Sequence, residues 1–275
     1  MKKVYISGYN GKIGKNLVDI LKKEQNEIKF ISREHLMLKE RLTISKTEYS
    51  QRILLHLAWP VQAQDYRSSE QNNGFSKISM NFLKEYAESF DLFIFPGTIF
   101  ELPGNLSELT DQTKPEPRCK YSEAKMNLHD WVNQSGIKYS WPILPYIVSS
   151  NDPPFKLVPQ ILESLENINT PMKLKSPYIR RNFLHVSECA VILAKCMNAE
   201  ISGRYLIGSD TSVSPAELVR EFGLDWRLNS QDRQELDIEQ SLILGEAQDA
   251  CIGIRTESEQ RSSVLKRLIL KEYFG

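Results

Sequence analysis

The 275-residue chain carries 35 Lys and Arg against 35 Asp and Glu, a formal net charge of zero. That balance gives no electrostatic case for nucleic acid or an anionic membrane as partner, and no apolar run reaches the ~20 residues that a membrane span needs. The length suits one large domain with a smaller appendage.

The opening MKKVYISG has neither the long apolar stretch nor the cleavage site of a signal peptide, so a cytoplasmic protein is expected. Cys119, Cys189, Cys196 and Cys251 show no CxxC or Cys/His ligand spacing and read as free thiols, with no metal site.

Residues 4–7 read as a first strand, followed by Ile13, Leu17, Ile20 and Leu21 at helical spacing. Further strands are predicted at 28–32, 53–58, 92–95 and 137–144. Between them one helix carries Ile78, Phe82, Leu83, Tyr86, Ala87 and Phe90, and another carries Tyr121, Ala124, Leu128, Trp131 and Val132. This alternation predicts βαβ units and a parallel sheet covered on both faces, the doubly wound α/β (Rossmann) architecture. After Pro145 the pattern changes. A turn-rich break at 149–154 precedes a helix with Leu157, Ile161, Leu162 and Leu165, a strand at 183–186, a helix through Ile192 and Met197, and a strand at 204–207. Ser214, Pro215 and Glu217 mark a further helix start as N-cap, first-turn proline and capping-box acid. The expected division is residues 1–147 with 182–208 as the doubly wound domain, and 148–181 with 209–275 as a smaller, discontinuous one. The polar stretch 229–259 has no predicted placement.

Strand one runs directly into Gly8-Tyr9-Asn10-Gly11-Lys12-Ile13-Gly14, a GxxGxxG turn opening a helix. Glycines permit the tight turn and let backbone N–H groups approach a pyrophosphate, and the helix N-terminus adds partial positive charge. A dinucleotide site is therefore expected over Gly8, Asn10, Gly11, Lys12, Ile13 and Gly14. At the end of strand two an acid would hold NAD ribose hydroxyls, whereas Arg would meet the 2′-phosphate of NADP. Ser32 and Arg33 occupy that place and Glu34 follows, so NADP(H) is favoured and NAD(H) stays open.

Tyr121 and Lys125 lie four residues apart, hence on one helix face. A tyrosine trading protons with a carbonyl near neutrality must lose about three pKa units from ~10. That is roughly 4 kcal/mol, what one cation at ~4 Å supplies at an effective dielectric of ~20. Thr98 follows strand 92–95, at the carboxyl end of a central strand where such folds bind ligands. Its hydroxyl can hydrogen-bond the oxygen that the tyrosine protonates.

With Gly8/Gly11/Gly14, His56-Leu57-Ala58, Pro96-Gly97-Thr98, Tyr121/Lys125, the Arg181–Val186 segment RNFLHV and the Arg204–Gly208 segment RYLIG, the chain resembles the extended short-chain dehydrogenase/reductase family, also called the NAD-dependent epimerase/dehydratase family. The resemblance spans residues 4 to about 222. It implies catalysis by Thr98, Tyr121 and Lys125, and cofactor contacts from Tyr121, Lys125, His56, Leu57, Ala58 and Pro145. It further implies a nucleoside-diphosphate-sugar substrate, with Thr98 at the reacting oxygen and Arg181 on the diphosphate, which Lys156 could also reach, and a homodimer through the tyrosine helix and the helix before it. Arg180 is expected to be exposed. The sequence also departs from the family. Ile99 and Phe100 stand where dehydratases carry Asp-Glu, and Glu101, one residue later, is expected to point away. Leu144-Pro145 replaces the usual Arg-Pro, Ser76 stands where asparagine is common, and 34–52 is too short for a full βα unit.

Three functions fit. The first is reduction of a keto-sugar nucleotide by NADPH, commonly at C4; the missing dehydratase acids and Arg33 favour it. The second is a 4-epimerase with retained NAD. The third is a non-catalytic cofactor-binding protein, against which intact Thr98, Tyr121 and Lys125 argue.

Overall fold

In a computed structural model of the protein, the described residues are 2–44, 51–61, 64–104, 108–209, 211–228, 241–242 and 260–274. The strands are β1 (Lys2–Ser7), β2 (Glu27–Ile31), β3 (Gln51–His56), β4 (Leu92–Ile94), β5 (Gly97–Thr98), β6 (Glu108–Leu109), β7 (Tyr139–Leu144), β8 (Tyr146–Val148), β9 (Met172–Leu174), β10 (Phe183–His185), β11 (Gly203–Leu206), β12 (Trp226–Leu228) and β13 (Ser241–Leu242). The helices are α1 (Lys12–Lys23), α2 (Arg33–Leu36), α3 (Gln71–Tyr86), α4 (Lys120–Gln134), α5 (Leu157–Ser164), α6 (Val186–Asn198), α7 (Pro215–Glu221) and α8 (Arg261–Phe274).

Seven of these strands form a parallel sheet in the order β11-β7-β4-β3-β1-β2, with β5 beside the end of β7. Side chains alternate across it, as the two-residue period of a strand requires. Val4 and Ile6 of β1 pack with Leu17 and Leu21 of α1 and Leu193 of α6. Tyr5 between them faces Phe82 of α3 and Leu128 and Val132 of α4. The fold is thus the doubly wound α/β sheet that the strand–helix alternation predicts. Residues 34–44 supply only the one-turn helix α2 and a segment whose Leu42 N–H donates to Tyr86 Oη (2.9 Å). Among the described residues, β2 is consequently the sheet edge, so the short 34–52 stretch omits a βα unit.

Beyond β7 the chain builds a second cluster. Val158, Ile161 and Leu162 of α5 meet Leu218 and Val219 of α7 and Leu265 and Ile269 of α8. β10 pairs with β8 and β12 with β9, while α6 and β11 return to the main sheet. Helix α8 begins just beyond the polar stretch left unplaced by pattern; Cys251 and most of 229–259 lie outside the described residues. Its first residue, Arg261, is buried and donates to both Glu188 oxygens (2.6 Å each) and to Phe183 O (2.7 Å). At its other end Glu272 accepts from Ser149 Oγ and Ser150 N–H (both 2.7 Å) and lies 3.1 Å from His185 Nε2. Among the described residues no helix is long and apolar enough to cross a membrane, and no His/Cys/Asp/Glu group is arranged to hold a metal ion.

Removing one partner of a buried ion pair strands the other charge, at about 3–5 kcal/mol. Arg261→Leu is expected to lower stability on that scale in urea titrations, and Arg261→Leu with Glu188→Leu to recover most of it. A single variant as stable as the parent would show that the pair does not fasten α8.

Candidate active site

The glycine turn has the geometry of a phosphate cradle. Gly8 sits at φ +71°, and a Cβ there would come within 2.5 Å of Ala58 N, because the parallel ends of β1 and β3 bring the two segments together. Gly14 is equally constrained, since a Cβ would run into Gly8 O and the Tyr9 backbone. Gly11 precedes α1 in extended conformation, and no side chain caps that helix start or places an acid in its first turn. The first-turn N–H groups and the positive helix end therefore face outward without a resident anion partner, which fits a pyrophosphate. Ile13 packs on the core and Asn10 is exposed. Lys12 has an additional attachment: its ammonium donates to Asp152 Oδ1 (2.6 Å) and Ile147 O (3.0 Å), so it ties the cradle to the 149–152 turn.

At the end of β2, Ser32 Oγ accepts from His35 N–H (3.1 Å) and is spent on capping α2. Arg33 follows, exposed. Glu34 is exposed too, and its own backbone N–H, with the Ser32 hydroxyl, holds its carboxyl below the usual range. After β3, Leu57 N–H donates to Ser7 O (3.1 Å). His56 is buried, hydrogen-bonded to Ser7 Oγ (2.8 Å) and Ser79 Oγ (2.9 Å). Burial, with the Lys125 charge, pushes its pKa down to about 3, so it is a neutral strut beneath the cradle.

The three chemistry-bearing side chains converge on the ends of β5 and α4. Thr98 pairs with Leu144, and its side chain acts on the Tyr121 phenol, lowering its pKa. Lys125 is buried, donates to Pro96 O (2.8 Å) and lies 4.2 Å from the centre of the Trp59 ring. The sequence-based argument had Lys125 lowering the tyrosine. Instead burial pushes the half-buried Tyr121 phenol above its ordinary value, with Tyr66, Glu101 and Cys119 adding to the rise and the Thr98 side chain opposing it. At neutral pH the phenol therefore carries its proton. Its ring is flanked edge-on by Trp59 (6.0 Å) and Tyr66 (5.3 Å).

Three residues of this site escaped sequence reasoning. Glu101 turns inward, wholly buried beneath Thr98. Trp59 covers the Lys125 ammonium. Asn72 pins Trp59 by accepting from its indole N–H (2.8 Å) while donating to Tyr66 O (2.6 Å) and Ser69 O (2.9 Å). An asparagine one helical turn before Ser76 was the available signal for the last.

Toward the second cluster, the Arg181 guanidinium lies 5.1 Å from the Tyr146 ring, and its backbone is bridged to Val213 (3.0 and 2.9 Å). Lys156 Nζ lies 5.1 Å from the Tyr66 ring, and burial lowers its pKa. Pro145 is buried between β7 and β8. Arg180, expected to be exposed, is instead half-buried, because its guanidinium binds Glu217 and Ser212 O.

The profile of the NAD dependent epimerase/dehydratase family matches residues 4–208, and the chain belongs to that family. The UDP-glucose 4-epimerase of Thermus thermophilus in complex with NAD superposes with a TM-score of 0.71 at 14% identity, over 99% of both chains. An NAD-dependent NDP-hexosamine 5,6-dehydratase of tunicamycin biosynthesis gives 0.76 at 18% identity, over 99% of this chain and 97% of its own. A GDP-6-OMe-4-keto-L-xylo-heptose reductase from C. jejuni gives 0.73 at 14% identity, over 99% and 97%. No curated protein sequence matches the chain. The likeness to these structures is one of fold, shared by an epimerase, a dehydratase and a reductase, so the reaction has to be argued from the site.

Between pH 6.5 and 3 an unfolded-state histidine binds a proton that native His56 does not, so this residue's contribution to stability falls as the pH drops through that window. NMR titration is expected to show the His56 ring neutral from pH 7 to 5. A midpoint near the ordinary ~6.5 would contradict the buried strut.

Proposed function

We propose that the protein is a nicotinamide-dependent reductase of a keto-sugar nucleotide, commonly acting at C4, and that it works in the cytoplasm. The observation that carries this reading is the convergence of Thr98 at the end of β5 with Tyr121 and the buried Lys125 on α4, where Lys125 donates to Pro96 O two residues before Thr98. Reduction of a carbonyl requires a proton donor beside its oxygen. The bound dinucleotide supplies hydride. Tyr121 gives its proton to the carbonyl oxygen, Thr98 Oγ1 orients that oxygen, and the Lys125 ammonium steadies the negative charge left on the phenol while anchoring the nicotinamide ribose. Lys156 and Arg181, each carried on an aromatic ring, supply the charge for a diphosphate. Ile99 and Phe100 leave no adjacent acid and base for eliminating water. The homodimer implied for the family would join α3 and α4, whose outward positions include the exposed Lys77, Asn81, Glu123 and Asn127.

Exposed Arg33, directly after β2, supports NADP(H) through its 2′-phosphate. A second reading, the 4-epimerase with retained NAD, is favoured by one observation: the ionised Glu34 beside it can hold ribose hydroxyls. Titration with both dinucleotides separates them. NADPH is expected to bind the more tightly, with Arg33→Ala losing that preference; a clear preference for NAD would turn the assignment to the epimerase.

For the chemistry, single-turnover oxidation of NADPH by a panel of keto-sugar nucleotides is the direct assay. Tyr121→Phe keeps the ring and is expected to cut kcat by roughly 100-fold or more with little effect on cofactor binding. Lys125→Ala should harm both rate and affinity, and Thr98→Val should be severe where Thr98→Ser is mild. Normal turnover by Tyr121→Phe would end the proposal.

A further inference from the structure

The reaction above leaves unused one acid that lies at its centre. Glu101 closes the short 3-10 turn Ile99–Glu101 that follows β5. Its side chain folds back so that Oε1 accepts from Thr98 N–H (2.9 Å) and Oε2 accepts from the Trp141 indole N–H (3.1 Å). The residue is wholly buried. Two residues before Thr98, just ahead of β5, Pro96 O accepts from Lys125. Pro96-Gly97-Thr98 is therefore gripped by an acid at one end and an ammonium at the other. Trp141 packs against Gly97 so closely that a Cβ there would strike its indole. The geometry is too specific for an incidental core carboxylate, since two oxygens meet two donors and one donor is the backbone of the catalytic threonine.

A buried carboxylate is costly unless hydrogen-bonded and matched by charge. Its charged and titratable neighbours come from two elements: Lys125 and the Tyr121 phenol from α4, and Arg204 from β11, which in turn interacts with Asp111 and Tyr139. Lys125, shut from water, has the Pro96 carbonyl and the Trp59 ring face beside it, and neither bears a full negative charge.

We propose that Glu101 is a positioning residue of this site, holding the Thr98 turn in register and supplying the anion that keeps the buried Lys125 charged. This rests on the reading of Thr98, Tyr121 and Lys125 given above. Burial holds Lys125 below the ordinary amine range and the Glu101 charge opposes that shift, so deleting the charge lowers Lys125 further. Deprotonation then sets in at lower pH. Glu101 itself is held above the carboxylate range by burial, and the Trp141 N–H opposes that rise, so removing the indole donor raises Glu101 further.

The test is the pH dependence of NADPH affinity, read by fluorescence, and of single-turnover rate, for the parent, Glu101→Gln and Trp141→Phe. Glu101→Gln is expected to move the alkaline loss of affinity down by about one pH unit and to lower the rate at least tenfold, with KM changed less than the rate. Trp141→Phe is expected to leave the alkaline limb in place and shift the acid limb upward. Affinity profiles of both variants that superimpose on the parent's would overturn the proposal. If Glu101→Gln does not fold, Trp141→Phe decides alone through its acid limb. Failure of the reductase reading looks different: the parent turns over no keto-sugar nucleotide, or Tyr121→Phe turns over normally, while the affinity profiles still test Glu101 against Lys125.

Discussion

The Lys125 ammonium lies inside the protein, and its surroundings are arranged around that fact. A cation removed from water needs acceptors and opposing charge within a few ångströms. Here the acceptors are the Pro96 carbonyl and the face of Trp59, and the Glu101 charge works against the loss of the lysine's proton. Each draws in another element. Pro96 lies between β4 and β5, Trp59 follows β3, and Glu101 reaches β7 through Trp141. His56 stays neutral partly because the same ammonium opposes a second charge there, and it can then bond Ser7 and Ser79 beneath the glycine turn. One buried charge thus couples the proton-transfer site to the cradle.

The cradle is tied in turn to the second cluster. Lys12, inside the glycine turn, binds Asp152 and Ile147 O. Asp152 Oδ2 also accepts from Ser149 N–H (3.0 Å), and Ser149 Oγ donates to Glu272 of α8. Glu272 reaches His185, whose backbone N–H donates to Glu188, the carboxylate that Arg261 grips. A continuous polar chain therefore runs from the dinucleotide turn to both ends of α8. Several of its members are buried, which makes each link costly to leave unmade.

This chain and the lysine pocket show what a sequence can and cannot disclose. The sheet is legible because β1, β3, β4 and β7 are short continuous apolar runs, separated by helices whose apolar residues recur every three or four positions. Thr98, Tyr121 and Lys125 were legible because a strand end and an i, i+4 helix spacing place them together. Glu101 was read as pointing away because pattern cannot show a side chain turning back through a 3-10 turn to an indole 40 residues on. Arg261 and Glu188 are 73 residues apart, and Arg261 borders a polar stretch with no periodicity. Tyr121 was expected to be lowered by its lysine. That argument counted one charge and left out the desolvation of the phenol, which here is the larger effect.

The departures from the family pattern are also coupled to one another. Ser76 stands where an asparagine is common, and its Oγ is buried with no partner among the described residues. Asn72, one turn earlier on the same helix, does the binding instead, holding Trp59 and the carbonyls of Tyr66 and Ser69. Trp59 so held covers Lys125 and flanks Tyr121, and the loop so held places Tyr66 against the same ring. Phe100, in the place of a dehydratase acid, is flanked by the Arg67 and Arg118 guanidinium groups at 5.2 Å each and meets Tyr146, on which Arg181 lies. What reads in sequence as scattered substitutions is in space two groups of rings, Trp59, Tyr121 and Tyr66 beside Lys125, and Phe100 and Tyr146 with the arginines against them. Aromatic rings beside Lys125 with positive charge around them are the combination that the proposed reduction of an anionic sugar nucleotide would call for.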